Sequence, residues 1–290
     1  MATMHKPVRK LRERLLRLKL MLGFAWRRGA SIQDRGRLFY HAGIKPALVF
    51  RRLRKFSPRE LISFRVKAPG RNGNLRVRCR DNGSDVGTFA EFFSSRYQII
   101  PPELPRFEPK VIYDIGAHIG IASLFFAMRY PKARLYGFEP LPLNYEVCTL
   151  NYHNLRDAKA LPWAIGARSG TAAFEFANSD LRGGHLTNQG SLGGANGWSK
   201  LEVPVFSVLD LVRRQGFAPP DFLKIDTEGA EADVLEGIGD LAPNIQRLLV
   251  ETHGEEVELK CLRWLLEHGF IIRHVHEAAP GFAAVWCDRV

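Results

Sequence analysis

The chain has 290 residues, 46% of them hydrophobic, which excludes a chain disordered throughout and allows one large α/β domain with an appendage. Of its 42 Lys/Arg and 30 Asp/Glu, residues 1–56 hold 16 and 2, a net of +14, and the remainder holds 26 and 28; a near-neutral main domain argues against a nucleic-acid enzyme and says only that the arm meets something anionic. Cys79, Cys148, Cys261 and Cys287 are far apart with no C-x-x-C pair, which excludes a disulfide framework and a thiolate zinc site and fits a reducing, intracellular compartment.

Residues 1–56 form a basic helical arm in this reading. Val8, Leu11, Leu15, Leu18 and Leu22 recur at helical spacing, with Arg9, Arg12 and Lys19 elsewhere on the wheel. Arg17 and Lys19 interrupt the apolar stretch, so it is neither a membrane span nor a signal peptide. Three readings stay open: a helix packed on its own domain with a solvated basic face, contact with an anionic membrane surface or lipid-linked substrate, and an organellar presequence. The expected location is cytoplasmic, with any membrane contact peripheral.

Residues 57–109 carry two β-like runs, 62–67 and 75–79, around the turn-forming Pro69-Gly70-Arg71-Asn72-Gly73. A capped helix start follows at residues 83–93. Pro101, Pro102, Pro105 and Pro109 then break the chain before the next element.

From residue 110 to 290 strands alternate with helices. Strands are predicted at 111–114, 134–138, 160–165, 222–226, 247–252, 270–276 and 283–287, a pattern for a mostly parallel seven-stranded sheet covered on both faces. The last two lack an intervening helix and should form an antiparallel edge pair. Residues 171–176 and 202–206 suggest a further antiparallel pair, bracketing six glycines between Gly183 and Gly197. That long segment reads either as a lid in which His185 or Trp198 stacks on the acceptor, or as a plain hairpin connection. His274 and His276 share a strand face, but two ligands make no closed metal site.

Ligands of such sheets bind beyond the carboxyl ends of the strands. There Asp114-Ile115-Gly116-Ala117-His118-Ile119-Gly120 runs from a buried strand into a glycine turn and an apolar helix. Gly116 lets the backbone turn and approach a ligand, Gly120 lets the helix pack near the strand, and Asp114 can meet an ammonium group directly or through water. The next strand ends at Glu139, about 20 residues further on, where a carboxylate can accept both ribose hydroxyls. A nicotinamide dinucleotide would use the same layout, yet G-A-H-I-G puts His118 where G-x-G-x-x-G has its second glycine. Ala117, Ala164 and Asp226 complete the residues expected around the cofactor.

These segments, with Gly137-Phe138-Glu139-Pro140 and Leu223-Lys224-Ile225-Asp226-Thr227-Glu228-Gly229-Ala230-Glu231 in this order, resemble the FkbM family of methyltransferases. The likeness runs from about residue 61 to 276 and leaves out the arm. It implies a Rossmann-like class I methyltransferase fold, S-adenosylmethionine as donor, and O-methylation of a hydroxyl on a saccharide, glycan or secondary metabolite. The family's turn often reads G-A-N-x-G, so His118 departs from it.

Removing a hydroxyl proton calls for a base at a strand end beside the donor. Asp226 and Glu228 follow the fourth strand, and Glu231 starts the next helix, where an acid also serves the helix dipole. Three crowded carboxylates should raise the proton affinity of at least one. His253, after the fifth strand, is the alternative base or a structural histidine. With the carboxylates it could instead hold a divalent cation, a minority reading against no metal. A lipid, protein or RNA acceptor docked by the arm, and a non-enzymatic binding module on a relict fold, are the rival functions; intact Asp114, Glu139 and Asp226 count against the latter.

Overall fold

The computed structural model describes residues 6–50, 55, 57–67, 74–94, 100–101, 103–177, 180–187 and 198–290. The chain divides into two compact units, Met1–Ile99 and Ile100–Val290, so the basic arm and the hairpin fall in one unit.

The first unit holds α1 (Lys6–Arg28), α2 (Ile32–Phe39), a π-helical turn (Tyr40–Ile44), α3 (Lys45–Phe50), the antiparallel pair β1 (Ser57–Lys67) and β2 (Asn74–Asp81), and α4 (Ser84–Ser94). Ser31 caps α2 by accepting the Asp34 N–H, and Asn82 accepts the Asp85 N–H at 2.9 Å at the start of α4. Asp85, fully buried, takes a two-pronged hydrogen bond from Arg80 at 2.9 and 3.0 Å. Apolar residues alternate along β2 and bring Val77 and Cys79 to a core with Phe24, Leu38, Phe64 and Phe89. The stripe expected on α1 is turned in its second half: Phe24 and Ala25 are buried, the Phe24 ring meeting Phe89 at 5.3 Å, while Leu22 is exposed. The aromatic cluster wins because one buried phenylalanine ring removes more surface from water than a leucine does. The hairpin turn expected at residues 69–73 lies outside the described residues.

In the second unit the order is β3 (Val111–Ile115), α5 (Ile121–Arg129), β4 (Arg134–Phe138), α6 (Pro142–Tyr152), β5 (Ala158–Leu161), β6 (Ala164–Ile165), β7 (Gly170–Ala177), β8 (Asp180–Thr187), β9 (Trp198–Phe206), α7 (Val208–Arg213), β10 (Phe222–Ile225), α8 (Glu231–Glu236), β11 (Arg247–Glu251), α9 (Glu255–Glu267), β12 (Phe270–Ala279) and β13 (Phe282–Arg289). Seven of these strands form one sheet in the order β12-β13-β11-β10-β3-β4-β5, parallel throughout except that β13 runs antiparallel to both neighbours. This is a Rossmann-like architecture with an antiparallel edge pair, as the resemblance implies. The central strands β3 and β10 are short apolar runs because helices cover both of their faces; every residue of β10 is buried.

The strand expected at 160–165 is two. Pro162, lacking an N–H, ends β5, and β6 joins a second sheet of order β6-β9-β7-β8. In that sheet β7 and β9 form the expected antiparallel pair, and β8 adds to β7. Residues 188–197 and the side chains of His185 and Trp198 lie outside what is described, and the lid reading with them. His274 pairs with Glu103 at 2.6 Å, while His276 lies exposed on the same edge strand. All four cysteines are buried thiols.

Candidate active site at the carboxyl ends of β3, β4, β10 and β11

The turn after β3 is built from positive-φ residues: Gly116 at 78°, His118 at 51° and Gly120 at 82°. Gly116 has no room for a side chain, since a Cβ there would lie 1.7 Å from the Asp226 carbonyl oxygen. The backbone of β3 therefore touches the end of β10, and the Asp226 N–H donates to Ile115 at 3.0 Å. Histidine and asparagine both tolerate the left-handed region, so His118 keeps the backbone that the family's usual Asn would adopt. Gly120 opens α5 and faces Cys148 and Tyr152 of α6, a helix–helix approach in place of the helix–strand packing expected.

Glu139, leaving β4, closes the turn. Its carboxylate accepts the His118 N–H at 2.8 Å and the Leu141 N–H at 2.9 Å, and its own N–H donates to Leu161. The Gly116 and Ala117 N–H groups both donate to the Phe138 carbonyl. Ala117 is buried, whereas Gly116 and His118 are half-exposed, so the turn presents backbone and the His118 ring outward. Ala164 lies in β6, buried in an apolar cluster with Leu141, two residues past Glu139. Asp114 points the other way. It is fully buried, takes the Ser123 hydroxyl proton into a hydrogen bond, and has Lys224 Nζ 3.6 Å from its second oxygen, which makes no hydrogen bond. Burial pushes its carboxyl above the ordinary range, and the Lys224 charge offsets this only in part.

Beside the turn, β10 and β11 deliver the polar edge. Lys224 is buried in the middle of β10 and pairs with Asp226 at 2.9 Å. Asp226, Glu228 and His253 are each half-exposed. His253 Nε2 lies 3.9 Å from Asp226 and 3.6 Å from Glu228, and its Nδ1 lies 3.0 Å from Glu231. Glu231 is fully buried and also accepts the Thr227 N–H at 2.9 Å and the Gly229 N–H at 3.0 Å. Glu228 is held at φ 55°, a left-handed conformation rare for a non-glycine residue and costing about 1–3 kcal/mol, which the surrounding turn sustains.

The electrostatics differ from the crowding argument. Burial works to raise the Asp226 carboxyl, but Lys224, His253 and His118 outweigh it and hold the group below its ordinary value. For His253, burial favours the neutral ring, yet the hydrogen bond to Glu231 and the charges of Asp226 and Glu228 raise its pKa to about 9. The His253 ring therefore holds its proton at neutral pH.

Asp226, Glu228 and His253, separated by up to 27 residues in the chain, are brought together, and Gly116, Ala117, His118 and Gly120 form one turn that Glu139 closes, with Asp114 buried behind it. Glu231 does more than serve the helix dipole: it anchors His253. Lys224 was not singled out by motif reasoning, although a lysine inside the apolar run Phe222–Ile225 is a signal, because a buried ammonium needs paired acids. One atom each of Asp226, Glu228 and His253 lies within 4.8 Å of the others, a set that could hold a divalent ion.

The family described as the methyltransferase FkbM domain matches residues 114–275, more than half of the chain. The chain is 31% identical over 205 residues to methyltransferase sdnD of Sordaria araneosa, covering 58% of this chain and 77% of that one. It is 26% identical over 207 residues to the 31-O-demethyl-FK506 methyltransferase FkbM of Streptomyces tacrolimicus, covering 62% and 79%. The hexuronic acid methyltransferase AglP of Haloferax volcanii is 26% identical over 148 residues, covering 50% and 57%.

Proposed function

Because the chain belongs to the FkbM family of methyltransferases, we propose that it transfers the methyl group of S-adenosylmethionine to a hydroxyl of a saccharide, glycan or secondary metabolite. Relatives whose names specify a hexuronic acid and 31-O-demethyl-FK506 support that acceptor class. The observation that carries the chemistry is the buried Glu231 holding His253 with its Nε2 toward Asp226 and Glu228, next to the turn after β3.

The residues present fit the donor. Backbone is exposed at Gly116, where a Cβ has no room, and the Glu139 carboxylate sits at the end of β4 to accept the ribose hydroxyls. Asp114, turned inward, anchors the turn from behind instead of meeting the ammonium group. The donor supplies a methyl group on a positively charged sulfur. With donor and acceptor bound, neutral His253 Nε2 would take the acceptor's hydroxyl proton as the methyl group is transferred, while Nδ1–H donates to Glu231. Asp226 and Glu228 accept hydrogen bonds from neighbouring hydroxyls of a polyol and orient it. Residues 110–290 carry the whole reaction in this proposal; residues 57–109 and the arm take no part in the chemistry. Incubating the pure protein with labelled donor and a panel of neutral and acidic glycans tests it, and transfer to none of them, nor to small hydroxylated metabolites, would remove the acceptor class.

Glu139→Ala is expected to weaken donor binding by about 1.5–3 kcal/mol, the range for a hydrogen bond to a charged group, with the fold retained. Glu139→Gln keeps an acceptor for the His118 or Leu141 N–H and should fall between. Calorimetry reads both, and unchanged affinity in a folded Glu139→Ala protein, or tight NAD binding by the wild type, would overturn the donor site.

A second reading is favoured by the convergence of Asp226, Glu228 and His253: a divalent cation that orients two acceptor hydroxyls. Against it, Lys224 already places a positive charge on Asp226. Turnover is therefore expected to survive a chelator; abolition by chelation with recovery on adding magnesium or manganese would transfer the acceptor-orienting role to a metal.

A further inference from the structure

In the first unit α1 turns an apolar face to solvent. Phe24 and Ala25 are buried on one side of the helix, while Leu16, Leu20, Leu22 and Trp26 lie on the other, each more than half exposed. At 100° per residue these four fall within one arc, and Lys19 and Arg27, both exposed, fall inside it. The face continues onto α2: Ile32 is 83% exposed, and the Arg35 guanidinium lies 4.3 Å over the Trp26 ring. In sequence, residues 1–56 carry 16 Lys/Arg against 2 Asp/Glu.

We propose that this face of α1 and the start of α2 docks on an anionic lipid bilayer, with Leu16, Leu20, Trp26 and Ile32 entering the headgroup–acyl boundary and Lys19, Arg27 and Arg35 meeting lipid phosphates. The inference concerns where the protein sits and is independent of the methyl-transfer reading. Three observations converge on this occupant. Large apolar side chains at the surface, tryptophan among them, match the interfacial region of a bilayer, where an amphipathic ring or a leucine is buried to a shallow depth. A nucleic acid would use the cations alone, since phosphate contacts give a leucine or isoleucine nothing to bury against. A second copy would bring another net +14 arm against the first, and like charges repel. No helix of the described residues is long and apolar enough to cross a membrane, so the contact is at the surface.

The test is co-sedimentation of the 290-residue chain with vesicles of phosphatidylcholine alone and of phosphatidylcholine mixed with phosphatidylglycerol. Binding to the anionic vesicles, weakening with salt, is expected. Lys19→Ala with Arg27→Ala should reduce it about 30-fold, at roughly one kcal/mol for each basic residue near the surface. Leu16→Ser with Leu20→Ser should also reduce it, by about tenfold or more, with every charge retained. The substituted residues are exposed, so both variants should melt like the wild type. Trp26 emission should shift to the blue on binding, a shift absent in Trp26→Phe, which separates it from the other four tryptophans. Equal binding to both vesicle types, unaltered binding of the Leu16/Leu20 variant, or displacement of the wild type from vesicles by duplex RNA would each overturn the proposal.

Discussion

Replacing His253 with alanine is expected to lower turnover about 10²–10⁴-fold at saturating acceptor, the usual loss for a general base, with donor affinity nearly unchanged. The pH profile identifies the proton's route. His253 titrates near 9 and not near its ordinary 6.5. At pH 7 the ring is mostly protonated and cannot take a proton, so turnover should rise about tenfold per pH unit and level off near pH 9. Asp226→Asn removes one of the charges that hold the proton on the ring, so the rising limb should move to lower pH even as acceptor orientation suffers. Glu231→Gln deprives Nδ1 of its carboxylate; it should cut turnover as well as stability, where a helix-dipole acid would affect stability more than rate. The alternative outcome is equally definite. A flat profile, a mild effect in His253→Ala and a loss of 10²-fold or more in Asp226→Asn would make Asp226 the base and His253 its counter-ion.

The two motifs were legible because each couples a backbone requirement to a strand end. Gly116 and Gly120 mark a turn only glycine can make so tightly, and Glu139 follows a short apolar strand by itself. What was not legible depends on which strand ends become neighbours. Glu231 looks like a helix-dipole acid until β11 is laid beside β10 and His253 arrives at 3.0 Å. The crowding of three carboxylates predicted a raised proton affinity among them, and two cations missing from that reasoning, Lys224 and protonated His253, reverse it at Asp226. Burial of Asp114 was hidden for a similar reason, since its partners Ser123 and Lys224 come from α5 and β10. In the arm, spacing alone identified an amphipathic helix but not which face packs; the Phe24–Phe89 contact decides that, across 65 residues of chain.

Lys224→Met should be the most destabilising exchange at this site, by about 3–5 kcal/mol, because it removes one member of a buried ion pair and leaves the others. The ammonium is 2% exposed and stands between Asp226 at 2.9 Å and Asp114 at 3.6 Å. Asp226 reaches solvent and can rehydrate, but Asp114 has no exposure and would keep only Ser123. Methionine matches the length of the lysine stem, so little of the loss comes from packing. Glu251, whose charge also acts on Lys224, is half-exposed, so the uncompensated charge weighs most at Asp114, and Lys224→Met combined with Asp114→Asn should recover most of the stability. Denaturant unfolding of the two single variants and the double variant measures this as a coupling energy. The sign with pH follows from the same residue. Burial already holds the Asp114 carboxyl above its unfolded value, and without Lys224 it is higher still, so the folded variant binds a proton that the unfolded chain releases. The stability deficit of Lys224→Met should then be largest at neutral and higher pH and shrink as the pH falls toward the ordinary aspartate range. A deficit independent of pH, or one that Asp114→Asn leaves in place, would mean that Lys224 supports the site through β10 packing and not through the charge it brings to Asp114.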